Sequence, residues 1–275
     1  YLRLHRGKLT ACLCWLLMRQ FIDETRTLML KDYKLKIAII CSLIGLVLVI
    51  WLLWPSSPNF SKFAAGDERK QAFLDYFAPL IKATNAEILK DRETAIALRE
   101  RSAELGFFDR RSMHRLAEDY AIQDFDEANA QHWTELLKRV NTVPPSLALA
   151  QAANESAWGT SRFAREGNNY FGQWCFQPGC GLVPKSRTVG KTHEVAKFSS
   201  PAESVEAYID NLNRNSAYEN LRSLRAQRAE KSDSYSGIEL ANGLLNYSER
   251  GQEYVVEIQN MIRTNQLERY DKPGK

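Results

Sequence analysis

Cysteine and histidine are scarce in this sequence, and their scarcity excludes several classes of protein. Five cysteines and four histidines occur among 275 residues, and they do not show the four-ligand spacing of a structural zinc site. At this length the chain can bury a hydrophobic core and is not a small disulfide knot. Internal repeats and low-complexity tracts are also missing. We therefore expect no metal ion and no cofactor.

A basic excess is missing from most of the chain. The formal net charge is +4, but residues 1–36 hold eight Lys or Arg against three Asp or Glu. The remainder has 29 basic and 30 acidic residues. Binding of nucleic acid requires a basic face on the folded body. We therefore exclude nucleic acid as a partner.

One long apolar run is present, from Ile37 to Trp54. It contains no charged residue, and as a helix it would be about 27 Å long, close to the roughly 30 Å core of a bilayer. Lysines precede the run, and Trp51 and Trp54 close it, as is typical of a span with its positive side in the cytoplasm. We expect residues 37–54 to anchor the chain in the inner membrane as a single pass, with residues 1–36 cytoplasmic and the C-terminal body in the periplasm.

A cleaved signal peptide is the alternative to this anchor. The nearest small-residue cleavage site, Ala64-Ala65-Gly66, lies well beyond the apolar run, which favours the uncleaved form. The stretch from Met29 has the charged start and apolar continuation of an export signal. We therefore expect Met29 to be the native start.

Cys175 and Cys180 are the two cysteines beyond the predicted span. Two cysteines in an oxidising compartment predict a disulfide, which would fix the shape of the WCFQPGC turn. A free pair and a metal site are the alternatives. His193 is the one histidine nearby, which makes the metal site the weaker of the two.

The rest of the chain is predicted to be mostly α-helical, with one small β-hairpin region. Residues 55–66 are rich in Ser, Pro and Ala and predict a linker. Residues 67–141 show apolar positions at three- and four-residue spacing, so we expect a helical arm. Residues 142–270 form the predicted catalytic domain, in which alternation over 188–198 indicates a strand.

A helix with the sequence LALAQAANESAW lies near the start of that domain. It is apolar on almost every side, which is typical of a helix buried in a core. Ser146 is a plausible N-cap, and Gly159 is well placed to end the helix. Glu155 lies near its end, where burial would raise the pKa of the carboxyl group and allow it to donate a proton. The alternative is a carboxylate that reaches solvent or caps a loop.

The stretch ALAQAANESAWGTSRFAREGNNYFGQW resembles the signature of the glycoside hydrolase family 73 N-acetylglucosaminidases. The resemblance continues through Thr192-His193-Glu194 and Tyr208 to Tyr247 and Tyr254, and covers Val143 to about Thr264. The Bax-like branch of this family is resembled most in three places: the helical region before this stretch, the residues WCF and the residues GCGLVPKSR. The resemblance implies an α+β, lysozyme-like fold in which a helical lobe faces a β-hairpin lobe. It also implies hydrolysis of the β-1,4 bond after N-acetylglucosamine in peptidoglycan glycan strands.

The resemblance also implies roles for individual residues. Glu155 matches the general acid, Glu194 the second carboxylate proposed in many members, and Tyr247 a tyrosine near the groove floor. A carboxylate separation of about 5 to 5.5 Å would favour a nucleophile and about 6.5 to 9.5 Å an inverting water. Participation by the acetamido group of the substrate is the third mechanism, and Glu194 remains equally well explained as a solvated hairpin residue.

Four residues of the loop after the helix are candidates for binding the substrate: Asn169, Tyr170, Phe171 and Trp174. Aromatic rings on a loop can stack on sugars, although Phe171 fits equally well in a core. Adjacent Asn residues can bind acetamido groups but also form turns. Two other functions remain open, a lytic transglycosylase and a non-catalytic peptidoglycan-binding module.

Overall fold

The structure of this protein is a computed structural model in which two compact units divide the chain, residues 1–56 and residues 57–275. In the first unit, residues 40–45 are helical. The predicted anchor 37–54 otherwise lies outside the described residues. Among the described helices, none has both the length and the apolar character needed to cross a membrane. The structure describes Lys36 and residues 40–45, 58–185, 187, 190, 192–229 and 235–272.

The second unit is mostly helical, as the sequence predicts. Short 3-10 helices connect several of the α-helices, the first at Phe60–Lys62 and the last at Leu267–Tyr270. The α-helices in the described part are α1 Asp67–Glu100, α2 Phe107–Asp119, α3 Ala130–Arg139, α4 Pro145–Ser156, α5 Arg162–Gly167, α6 Pro201–Arg214, α7 Glu219–Ala229, α8 Gly237–Leu240 and α9 Gln252–Thr264.

A small antiparallel sheet is formed by residues that follow α5 and precede α6 along the chain. Its strands are β1 Trp174–Cys175, β2 Gly181–Leu182 and β3 Glu194–Ala196, in the order β1-β3-β2. Within the described residues, the strand predicted over 188–198 ends at Ala196, and beyond this end the N–H of Phe198 donates to Gly167 O and not to a sheet partner. The fold class is therefore mostly α-helical with a small antiparallel sheet.

Helix α4 is surrounded by other elements because its sequence is apolar on nearly every side. It packs against α1, α8 and α9 and the last 3-10 helix, and most of its side chains are buried. The helix begins two residues earlier than a Ser146 N-cap would give, with Pro144 as N-cap and Pro145 as its first residue. Asp271 accepts hydrogen bonds from both N and Oγ of Ser146. A carboxylate from the C-terminal end thus caps this helix start.

The predicted helical arm shares its hydrophobic core with the predicted catalytic domain. Asn85 of α1 donates to Val143 O at 2.7 Å and accepts from Val143 N at 3.0 Å. Arg225 of α7 is fully buried and donates to the carbonyl oxygens of Lys138, Asn141 and Thr142. The segment that leads into α4 is therefore fixed from both sides, and we call residues 138–143 the arm joint.

The core extends into the segment predicted to be a linker. Phe60 is buried, and its ring packs against Phe73 and Phe77 of α1. A Cβ atom on Gly159, which has a φ of +77°, would lie 2.2 Å from the ring of Phe60. A glycine at position 159 therefore makes room for Phe60. The folded body includes residues before Asp67.

Candidate active site

Glu155 lies in the last turn of α4, where a tyrosine hydroxyl and a glycine of the following loop approach its carboxyl group. Its Oε1 accepts a hydrogen bond of 2.8 Å from the hydroxyl of Tyr254 on α9. A Cβ atom on Gly172 would lie 3.2 Å from its Oε2. Gly172 has a φ of +67°, so a glycine both adopts this conformation and lets the loop approach the carboxylate.

A chain of buried hydrogen bonds ends at Glu155. The hydroxyl of Tyr208 donates to Gln151 Oε1 at 2.6 Å, and Gln151 Nε2 donates to the hydroxyl of Tyr254 at 2.9 Å. Because the amide nitrogen of Gln151 only donates, Tyr254 must accept from it and directs its own proton to Glu155. This series of hydrogen bonds therefore fixes the position of the Glu155 carboxyl group and makes Tyr254 the donor of the hydrogen bond to it.

Burial is the largest influence on the pKa of Glu155 and raises it. Hydrogen bonds from Tyr254 and Asn154 lower the pKa, the Glu257 carboxylate raises it, and the Arg250 guanidinium lowers it. The net effect is a raised pKa. A carboxylic acid that keeps its proton to a higher pH than an exposed glutamate suits a general acid.

The turn after Glu155 has an uncommon backbone. Ala157, Trp158 and Gly159 all have positive φ values, of 50°, 57° and 77°, and non-glycine residues enter this region at an energetic cost. Ser156 stabilises the turn, because its Oγ donates to Ala152 O at 2.6 Å and accepts from Gly159 N at 2.8 Å. The helix thus ends at Ser156 with Ala157 as its cap, and Gly159 comes later in the turn.

The predicted disulfide between Cys175 and Cys180 is confirmed, with a Cα–Cα distance of 6.2 Å. The two sulfur atoms and the Glu194 carboxylate lie within 4.8 Å of one another. Because a disulfide sulfur is not a thiolate, this group does not have the ligands of a metal site. The disulfide closes the turn between β1 and β2.

Glu194 of β3 binds that same turn. Its carboxylate accepts hydrogen bonds from Gly179 N at 3.0 Å and Gly181 N at 2.8 Å. These two bonds lower the pKa of Glu194, so the group is ionised at neutral pH. In the described residues, Glu194 and Glu155 share no hydrogen-bonding partner. The catalytic role of Glu194 stays a prediction.

Tyr247 lies next to the chain of hydrogen bonds but outside it. Its ring stacks on that of Tyr254 with a centroid distance of 5.4 Å. Its hydroxyl donates to the carbonyl of Phe171 at 2.7 Å. Tyr247 therefore supports Tyr254 and the loop near Glu155, and a direct catalytic role stays a prediction.

Of the four predicted substrate-binding residues, three have buried side chains. Tyr170 packs on Phe77 in the core, and Phe171 stacks on Tyr208 at 4.0 Å. Asn169 donates to Gln173 O and Ala196 O and so joins the loop to the sheet. These three side chains are occupied by structural contacts. Trp174 is 54% exposed and stacks on His193, which leaves it available to a ligand.

Sequence reasoning missed Gln151 and Tyr208 as parts of the site. A signal for Gln151 exists, because it is a polar residue in a buried apolar helix and lies four positions before Glu155, on the same helix face. Tyr208 is at a core position of α6, and only the tertiary structure brings it to Gln151.

Known proteins resemble this chain over most of its length. A family model described as glucosaminidase, mannosyl-glycoprotein endo-beta-N-acetylglucosaminidase, matches residues 109–267, so the match begins inside the predicted arm. Protein bax of Escherichia coli strain K12 is 33% identical over 211 residues, which are 77% of this chain and 75% of that protein. The crystal structure of the catalytic domain of the autolysin Auto from Listeria monocytogenes is 18% identical, with a TM-score of 0.40, and the match covers 83% of this chain and 97% of that chain.

The family match contains α4 with Glu155, the disulfide-closed turn, and α9 with Tyr254. The relative from Escherichia coli extends the similarity across more of the chain than the family model does. On these grounds the chain belongs to the glucosaminidase family, glycoside hydrolase family 73.

Proposed function

We propose that this protein hydrolyses the β-1,4 bond after N-acetylglucosamine in the glycan strands of peptidoglycan, with Glu155 as the general acid. The observation that carries this proposal is the environment of Glu155. Its carboxyl group is desolvated enough for a raised pKa and is oriented by Tyr254. In this role Glu155 protonates the leaving glycosidic oxygen while the bond to the sugar carbon breaks.

The second catalytic group is assigned to Glu194. Its ionised carboxylate suits a group that stabilises positive charge on the sugar or activates water. The hydrogen bonds from the backbone N–H groups of Gly179 and Gly181 use only part of the capacity of this carboxylate to accept hydrogen bonds, because an ionised carboxylate offers about four lone-pair positions. We therefore expect Glu194 to act as a base or an electrostatic stabiliser whose position depends on the disulfide-closed turn.

The location of the reaction is part of the proposal. A disulfide is typical of an oxidising compartment such as the periplasm, and Cys175–Cys180 supports this location for the folded body. The apolar run 37–54 supports attachment to the inner membrane. Proteolysis of intact spheroplasts tests this arrangement, because cleavage of the body from outside is expected and its protection would contradict the proposal.

The reaction itself is tested with purified sacculi. A fragment of residues 57–275, which form one compact unit, is incubated with sacculi, and the products are reduced with borohydride and identified by mass spectrometry. New N-acetylglucosaminitol ends are expected. Muramitol or anhydromuramic ends would show cleavage of the other bond, the latter by a lytic transglycosylase. Binding to sacculi without soluble products would indicate a binding module.

A further inference from the structure

A groove of about 560 Å³ lies between the first turn of α1 and helix α9, beside the turn that follows Glu155. Its lining combines charged, amide and apolar side chains, among them Lys70, Trp158, Arg250, Glu253, Val256 and Asn265. We call it the α1–α9 groove.

This groove is near the general acid. Trp158 on its wall is three residues after Glu155. Arg250 and Glu257, which also line the groove, both influence the pKa of Glu155 through their charges. A ligand in the α1–α9 groove would therefore contact Trp158 in the turn that follows Glu155.

The two cations of the groove differ in their partners. Arg250 forms an ion pair with Glu257 at 2.7 Å and is 3.9 Å from Glu253. Lys70 lies over the ring of Trp158, with its Nζ 5.4 Å from the centroid, and donates to Asn265 Oδ1 at 3.0 Å. In the described part of the chain, no ion pair joins Lys70 to a carboxylate. Lys70 is thus a positioned cation available to an anionic group.

The contacts of Trp158 argue against a sugar ring as the ligand. Lys70 covers one part of the indole ring, and Phe73 packs against it edge-on at 5.6 Å. The ring is therefore not free to stack on a sugar in the way that exposed aromatic rings do.

Charge and apolar surface fit a short peptide with free carboxylates. Lys70 offers a cation for a carboxylate, and the side chain of Glu253 is 82% exposed and can accept an ammonium group. Val256 is 44% exposed and adds apolar surface. We propose that the α1–α9 groove binds the peptide stem of peptidoglycan, with a stem carboxylate on Lys70. This inference rests on the proposed function for its substrate.

The first test measures binding without catalysis. The full chain in detergent is titrated with a free stem tetrapeptide by calorimetry, in the wild type and in the Lys70→Met, Lys70→Arg and Lys82→Met variants. Met keeps the aliphatic chain over Trp158 but removes the charge, so we expect affinity to fall by roughly tenfold, as for the loss of one charge-assisted hydrogen bond. Arg should retain most of the affinity. Lys82 is exposed on the same helix, so Lys82→Met is the matched control and should leave the affinity unchanged.

The second test compares cleavage of two substrates, soluble glycan strands with their stems and strands from which an amidase has removed them. Lys70→Met should lower the rate by roughly tenfold on the first substrate and leave the rate on the second unchanged. Equal losses on both substrates, or no binding of the tetrapeptide to the wild type, would overturn the inference. Absence of N-acetylglucosamine ends with wild-type protein would instead refute the proposed function, while the titration would still decide on the groove.

Discussion

The hydrogen bond from Tyr254 to Glu155 leads to a prediction about the pH dependence of catalysis. Replacement of Tyr254 by Phe keeps the ring stacked on Tyr247 but removes the hydroxyl that donates to Glu155 Oε1. A hydrogen bond donated to a carboxylate favours the ionised form and lowers the pKa. The Tyr254→Phe variant should therefore hold the proton on Glu155 to a higher pH than the wild type does.

The size of the effect follows from the energy of one such bond. Hydrogen bonds to charged groups contribute about 1.5 to 3 kcal/mol, and about 1.4 kcal/mol corresponds to one pH unit. We expect the basic limb of the profile of kcat/KM against pH, which reports the general acid of the free enzyme, to move upward by roughly one pH unit or more.

The change also strands the amide of Gln151, which loses its acceptor at a cost of about 1 to 3 kcal/mol in stability. The double variant Gln151→Met/Tyr254→Phe removes that amide but leaves the hydroxyl of Tyr208 without its acceptor, and it should show the same upward movement of the basic limb. Tyr247→Phe is the matched control, because the hydroxyl of Tyr247 donates to Phe171 and not to Glu155. A basic limb that stays in place or moves to lower pH in both Tyr254 variants would refute the reasoning.

Three other changes give further tests. Glu155→Gln should abolish release of products from sacculi and retain binding. The raised pKa of Glu155 stabilises the folded wild type fully below the ordinary pKa of a glutamate, and this contribution is lost as pH rises through the folded-state pKa. The melting temperature of the variant should therefore rise relative to that of the wild type as pH increases toward neutral. A constant difference in melting temperature at all pH values would contradict this. Glu194→Gln should speed amide hydrogen exchange of Gly179 and Gly181 at neutral pH, and in the wild type the same loosening should appear as pH falls through the lowered pKa of Glu194. If the Glu194→Gln variant loses activity but exchanges these amides at the wild-type rate, Glu194 acts in catalysis and does not stabilise the turn. Phe60→Ala should reduce the free energy of unfolding in urea by about 3 to 5 kcal/mol, and unchanged stability would show that Phe60 is not part of the core.

The sequence predicts the parts of this fold that depend on local patterns. The apolar run around Gln151 predicts a buried helix, and the helix is found with Glu155 in its last turn. Helix periodicity likewise predicts the helical character of 67–141. The disulfide follows from two cysteines in one short turn. In each of these cases the physical cause lies within a few residues along the chain.

What the sequence does not predict depends on contacts between distant residues. The burial of Tyr170 and Phe171 follows from packing against α1 and α6, more than thirty positions away along the chain. An aromatic loop residue that binds sugar and one that fills a core have the same composition. Likewise, the cap of Ser146 comes from Asp271, 125 positions later, and no local pattern indicates it.

The arm joint is held by Arg225, a buried cation that donates to peptide carbonyls. Burial lowers the pKa of Arg225 to about 10, so its guanidinium stays charged at any pH below that value. In the described residues its bonds go to backbone oxygens and to the amide of Asn213, and none goes to a carboxylate. Ion pairs weaken in acid when carboxylates take up protons, and exposed ion pairs weaken in salt. Hydrogen bonds to backbone carbonyl oxygens do not depend on a carboxylate that acid can protonate, so the segment that leads into α4 is expected to stay anchored when pH falls or salt is added.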